Sequence, residues 1–262
     1  MSISAIQPTA WVIANWKMHP VSPSAASELA RSLQQNAHAI PDAMQVIVAP
    51  SFVHLAQVGQ QLEGTPIGLA AQDICAHSPD MGAFTGDISA QMLADIGVAW
   101  VIIGHSERRQ YAGENNAILA QKITHAQQAG LGVVLCVGET QAQFEAGQTQ
   151  SVLAQQLAVL NDVQQAHQTA TPARFLIAYE PVWAIGSGQV ASPEQVSAIH
   201  GFIKATLAAY HQNLADTPIL YGGSVKADNA AAFAQAQNVA GVLVGGASLD
   251  ATSFYQIIQA FA

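Results

Sequence analysis

The stretch FLIAYEPVW, residues 175–183, decides how this chain is read. Its apolar run has no polar interruption, then meets a carboxylate at Glu180 and a proline at Pro181. A strand wetted on one face alternates apolar and polar residues, so an unbroken run suits a strand buried on both faces of a parallel sheet. Pro181 biases Glu180 toward extended backbone, pointing off the strand end. A strand that water never touches therefore ends on a charge.

Seven more runs share this character: WVIA (11–14), QVIVA (45–49), IGLA (67–70), WVII (100–103), VVLCV (133–137), PILY (218–221) and GVLV (241–244). Helix-like segments lie between them, at 24–36, 52–63, 89–96, 115–129, 150–168, 194–211, 227–235 and 252–261. Ser22-Pro23 and Ser192-Pro193 each read as an N-cap followed by proline at the first helical position. Eight strands and eight helices in strict alternation over 262 residues predict an α/β protein. A closed (β/α)8 barrel, one catalytic domain over residues 1–262, is the expected architecture; periodicity alone also leaves an open doubly wound sheet.

Composition narrows the function classes. The chain is half apolar with a net charge of −9 and only four lysines and four arginines, which argues against a nucleic-acid binder. The longest uncharged apolar run, 96–104, is about half a membrane span. The opening MSISAIQPT lacks a basic and then apolar leader pattern, and two cysteines are too few for a secreted disulfide scaffold. A soluble cytoplasmic protein is expected, with no membrane or nucleic-acid partner. Cys136 reads as a buried small hydrophobe.

In a barrel of this kind, function gathers at the C-terminal ends of the strands. The polar residues there are Asn15 and Lys17, His105 and Glu107, Glu180, and Ser224, followed by Gly245 and Gly246. Glu180, shielded by Val182, Trp183 and Ile185, would be a stronger base than a carboxylate in water. His105 follows a strand and opens a short helical turn, whose roughly half-unit positive end disfavours imidazolium. Lys17 sits in an apolar context that a lysine needs a reason to occupy. Glu107 and Arg109 read either as a structural ion pair or, for Glu107, as a catalytic participant. Glycine pairs after two consecutive late strands let backbone approach a ligand and form anion-binding nests, which points to a phosphorylated substrate. The remaining histidines show no metal-ligand spacing, so neither a metal nor a cofactor is expected.

Six motifs in order, NWKM (15–18), GAFTG (82–86), GHSERR (104–109), LCVGE (135–139), AYEPVWAIGSG (178–188) and YGGSV (221–225), resemble those of the triosephosphate isomerase family over essentially the whole chain. The resemblance implies interconversion of dihydroxyacetone phosphate and D-glyceraldehyde 3-phosphate, in glycolysis and gluconeogenesis. By matching positions, Glu180 would be the general base and His105 the neutral electrophile. Lys17 and Asn15 would stabilise the oxyanion, and backbone at Gly186, Ser224, Gly245 and Gly246 would hold the phosphate. Residues 181–191 would form the lid, including Pro181, Val182, Trp183, Ala184, Ile185, Gly186, Ser187 and Gly188. The loop 75–87 would dock into a second copy in a homodimer through Met81, Phe84 and Thr85, with Thr85 reaching toward the partner's Asn15 and the partner's Lys17. His19, Asp87 and Ser187 depart from the usual pattern: Ser187 keeps the hydroxyl but loses a methyl, which would shift lid kinetics modestly, and His19 and Asp87 would alter the dimer contact without touching the chemistry. Two rival readings are a glycosidase using Glu107 and Glu180, and a scaffold protein that kept only the barrel.

Overall fold

A computed structural model describes residues 10–166, 174–185 and 189–262. Eight parallel strands close on themselves in sequence order: β1 Ala10–Asn15, β2 Met44–Ala49, β3 Ile67–Ala71, β4 Trp100–Ile103, β5 Gly132–Val137, β6 Phe175–Tyr179, β7 Ile219–Tyr221 and β8 Gly241–Val244. β1 pairs with β2 on one side and with β8 on the other, which completes the (β/α)8 barrel and removes the open-sheet alternative.

Alternation along each strand divides the core into two layers. Trp11 and Ile13, Trp100 and Ile102, Val134 and Cys136, and Leu176 and Ala178 fill the barrel interior. Their neighbours Val12, Val101, Val133 and Ile177 point outward into the layer shared with the helices. Because both faces are dry, polar residues are kept to the strand ends, such as Gln45 near the start of β2, and this produces the apolar runs. Burying a Val, Leu or Ile side chain stabilises by roughly 1.5–3 kcal/mol, so the two layers together hold the barrel closed. Cys136 is fully buried in the inner layer, as its sequence context predicted.

The helices are α1 Pro23–Asn36, α2 Leu55–Leu62, α3 Ala90–Asp95, α4 Ser106–Tyr111, α5 Asn116–Gln128, α6 Gln141–Glu145, α7 Thr149–Ala166, α8 Pro193–Tyr210, α9 Ala230–Ala234 and α10 Ala251–Ala260. Both predicted Ser-Pro starts hold. The Ser22 hydroxyl accepts the N–H of Ala25, and Ser192 forms a reciprocal capping box with Gln195. Among the described residues, two short helices exceed the predicted count, α4 and α6. The segment predicted from 52 opens with a 3-10 turn, Phe52–His54, before α2 begins. The segment predicted from 227 becomes helical only at Ala230, because the Asn229 side chain accepts the Lys226 N–H and donates to the Ser224 carbonyl, holding a turn there. The last two residues of the segment predicted at 150–168 lie outside the described residues. Among the described residues no helix is long and apolar enough to cross a membrane.

Candidate active site

The inward register of the strands continues past their ends. Two residues beyond the last interior side chains stand Asn15, Ser51, Gln72, Gly104, Gly138, Glu180, Gly222 and Gly245. The rim positions are thus four polar residues and four glycines, and the glycines make room for the rest. A Cβ on Gly222 would lie 2.9 Å from Glu180 Cγ, and one on Gly138 would overlap the Glu180 carbonyl. Above this layer opens a cavity of about 730 Å³, lined by Asn15, Lys17, His105, Glu180, Ser224 and Gly245, among others. A larger groove of about 870 Å³ runs between α1 and α10 on the outer face, but it contains no comparable convergence of titratable groups.

Glu180 and His105 form one unit. His105 Nε2 lies 3.1 Å from Glu180 Oε1, and the backbone N–H of Ser106 donates to Glu180 Oε2 at 3.0 Å. On its other side, His105 Nδ1 accepts the backbone N–H of Glu107 at 3.2 Å, capping α4. An acceptor at Nδ1 places the ring proton on Nε2, facing the carboxylate. Burial opposes a second proton on His105, the charge of Glu180 favours it, and the balance lies above the ordinary histidine value. Taking that proton would break the Nδ1 contact at the helix end, so burial and that contact favour the neutral ring expected from the helix end, while the Glu180 carboxylate favours imidazolium.

Shielding of Glu180 was expected to strengthen it as a base. Burial does push its pKa up, but the charge and hydrogen bond of His105 and the Ser106 N–H outweigh this and hold it below the usual carboxylate range. In this arrangement Glu180 is an ionised, well-satisfied carboxylate; burial can raise its basicity only when it leaves those donors.

Lys17 closes the other side. Its Nζ donates to Glu107 Oε1 at 2.6 Å, and its backbone N–H donates to Asn15 Oδ1 at 3.0 Å. A Cβ on Gly245 would stand 3.6 Å from Lys17 Cε, so the lysine stem lies across the glycine turn after β8. Glu107 therefore pairs with Lys17 and not with Arg109. Arg109 donates to the carbonyls of Gly104 and Cys136 at 2.8 and 3.0 Å, a structural role. Arg108 and the buried Lys122 both bind Asp73 and Glu114, which anchors α4 beneath His105. Glu107 Oε2 and Glu180 Oε1 face opposite nitrogens of one imidazole, at 3.5 and 3.1 Å. Two carboxylates separated by a ring are poorly placed to work across a single glycosidic bond, which disfavours the glycosidase reading.

Of the remaining predicted residues, Ser224 donates to the carbonyl of Ala184 at 2.5 Å, joining the turn after β7 to the 3-10 turn after β6. Gly246 and Ile185 line the same cavity. Val182–Ala184 form a 3-10 turn after Pro181. Gly186, Ser187 and Gly188 lie outside the described residues. Met81, Phe84 and Thr85 are exposed on the loop 75–87, away from the cavity lining. Among the described residues no group of three or more His, Cys, Asp or Glu is arranged to hold a metal.

Two residues at this rim were not singled out in the sequence. Glu139 is fully buried and accepts from Tyr179 and Trp183. Gln72 donates to two backbone carbonyls. Both follow an apolar run within two residues, the same signal that marked Glu180.

A carboxylate and an imidazole that share a proton-sized gap above a sealed barrel interior, with a lysine alongside, define the class: a (β/α)8-barrel enzyme that moves protons. A family model described as triosephosphate isomerase matches residues 10–261. The triosephosphate isomerase of Psychrobacter arcticus is 49% identical over 96% of this chain and 97% of its own length. Those of Delftia acidovorans and Acinetobacter baumannii are 44% and 43% identical, covering 95% and 100% of this chain and 97% and 99% of their own lengths. The chain belongs to the triosephosphate isomerase family. Its reaction is an intramolecular aldose–ketose isomerisation, and the scaffold-only reading falls.

Proposed function

We propose that the chain interconverts dihydroxyacetone phosphate and D-glyceraldehyde 3-phosphate through an enediolate, as a glycolytic enzyme, with Glu180 as the general base. The phosphate rests on the backbone of Ser224, Gly245 and Gly246, with Lys17 beside it. Glu180 leaves the Ser106 N–H, takes a proton from one substrate carbon and returns it to the neighbouring carbon. The Nε2–H of His105 donates to the carbonyl oxygen as charge builds there and passes its proton to it, and the ring then takes the hydroxyl proton from the neighbouring oxygen; Lys17 with Asn15 stabilises the negative charge. A positioned base contributes about 10²–10⁴ in rate, and a preorganised oxyanion donor about 2.7–4 kcal/mol. Both are therefore needed. Glu107 holds the Lys17 ammonium between turnovers. The lid, from Pro181 to Ala191, excludes water and protects the enediolate from losing its phosphate; Pro181, Val182 and Trp183 are its near hinge.

The observation that carries this reading is the 3.1 Å approach of His105 Nε2 to a buried Glu180, in a cavity that Lys17 also lines. The working unit is a cytoplasmic homodimer of single-domain subunits. Met81 and Phe84 are 76% and 41% exposed on the loop 75–87, and Met18 and Val21 beside Lys17 are 90% and 98% exposed. A second copy would cover this apolar rim, with Thr85 near the partner's Lys17. A coupled assay on D-glyceraldehyde 3-phosphate tests the chemistry. Glu180→Gln should lower kcat by about 10²–10⁴ and leave inhibition by inorganic phosphate within about twofold of wild type. Wild-type turnover in that variant would remove Glu180 from the role of base. Sedimentation of the wild-type protein tests the dimer, and a fully active monomer would overturn it.

A further inference from the structure

Lys17 is one of only two non-glycine residues with positive φ among those described, at +52°. An L residue is sterically disfavoured there, and such a conformation persists only where surrounding contacts over-determine it. The chain after Lys17 gives little help, since Met18 is almost wholly exposed and His19 is exposed too. The restraint comes from hydrogen bonds to the two peptide groups flanking the Lys17 Cα. Asn15 Oδ1 accepts the Lys17 N–H, and Gln72 Nε2 donates to the Lys17 carbonyl at 2.8 Å.

Gln72 is built for that task. Its amide nitrogen also donates to the Ala49 carbonyl at 2.9 Å, at the end of β2. Both amide hydrogens are thus committed to carbonyls, which fixes the orientation of the amide because the oxygen cannot replace the nitrogen there. Ala49 also receives the Trp16 N–H, so the same carbonyl ties the residue before Lys17 to the barrel. Gln72 belongs to the rim layer by strand register, two residues beyond Ala70. It reaches the loop from β3, across the end of β2.

We propose that Gln72 is a positioning residue for Lys17: it fixes the left-handed backbone from which the ammonium reaches the cavity, and so acts on the reaction through that lysine alone. Gln72 touches no reacting atom. The inference rests on the assignment of Lys17 as the substrate-binding cation, and the test separates the two.

A double-mutant cycle in kcat/KM and in the inhibition constant of inorganic phosphate reads the coupling. Gln72→Met keeps the side-chain length and removes both donors. In the wild-type background it should lower kcat/KM by roughly 10- to 100-fold and weaken phosphate inhibition by roughly tenfold. In a Lys17→Met background the same change should cost less than about twofold in either quantity. Gln72→Asn, which keeps an amide but is one methylene too short for both carbonyls, should repeat the pattern if the methionine variant does not fold. Equal losses in both backgrounds, or wild-type constants in both Gln72 variants, would overturn the inference. Near-wild-type activity in Lys17→Met alone would instead overturn the role given to Lys17, and the inference with it.

Discussion

The indole Nε1 of Trp183 donates to Oε1 of Glu139 at 2.8 Å, and that carboxylate is wholly buried. Tyr179 supplies a second donor at 3.1 Å, and the Val182 N–H binds the Glu139 carbonyl at 3.0 Å. The Trp183 ring also stacks on Phe144, with centroids 4.5 Å apart. The near hinge of the proposed lid is therefore docked onto a charge at the end of β5. Trp183→Phe keeps the stacking and deletes the donor. Urea unfolding should show a loss of about 1.5–3 kcal/mol, the range for a hydrogen bond to a charged group, and turnover should fall several-fold as the lid loses its dock. Unchanged stability would mean that the indole does not hold Glu139 in solution.

Glu107 and Lys17 make a tight contact, but their side chains are 46% and 27% exposed, so the pair contributes about 1 kcal/mol or less to stability. Its value lies in aiming the ammonium. Glu107→Gln keeps an acceptor for Lys17 and removes the charge that draws it. Thermal midpoints should barely move while kcat/KM drops by about 10- to 100-fold, the usual result of misplacing a catalytic group by an ångström. A large drop in stability with normal kinetics would make Glu107 a structural residue only.

Gly222 leaves space that Glu180 fills. An alanine there would bring its Cβ to 2.9 Å from Glu180 Cγ and 3.3 Å from the Tyr179 carbonyl. The backbone contact cannot swing aside, so the carboxylate must move. Gly222→Ala should reduce kcat by up to about 100-fold in a protein whose circular dichroism matches wild type. Full activity would show that Glu180 tolerates displacement, contrary to its proposed role.

The barrel was legible in the sequence because burial on both faces forbids polar interruptions: FLIAY and GVLV coincide with β6 and β8 residue for residue. The catalytic candidates were legible because each breaks that pattern at a strand end. What stayed hidden depends on contacts between distant segments. Nothing local distinguishes Glu107 bonding to Lys17, 90 positions away, from Glu107 bonding to its neighbour Arg109. The lowered pKa of Glu180 depends on His105 and the Ser106 N–H, at a helix end more than 70 positions upstream that nothing near Glu180 in the sequence announces. Asn229, lost inside an alanine-rich segment, delays its helix by using its side chain on the backbone around Ser224.

His200 provides the pH test. It is fully buried in α8, its Nδ1 lies 3.0 Å from the Asn238 carbonyl, and its ring meets Tyr179 edge-on. A carbonyl only accepts, so the proton sits on Nδ1 and the ring is neutral. Burial lowers its pKa to about 4, only partly offset by that hydrogen bond. The unfolded chain, with an ordinary histidine, therefore binds a proton at higher pH than the folded one. Stability is unaffected above about pH 6.5 and falls as the pH drops from there toward 4, by about 3 kcal/mol in total. His200→Gln can keep a donor to Asn238 and cannot charge. Urea midpoints of wild type and variant should thus converge between pH 7 and pH 4, with a difference in slope approaching one proton. Parallel pH profiles would show that His200 is charged in the fold or reaches water, and either result would contradict its burial.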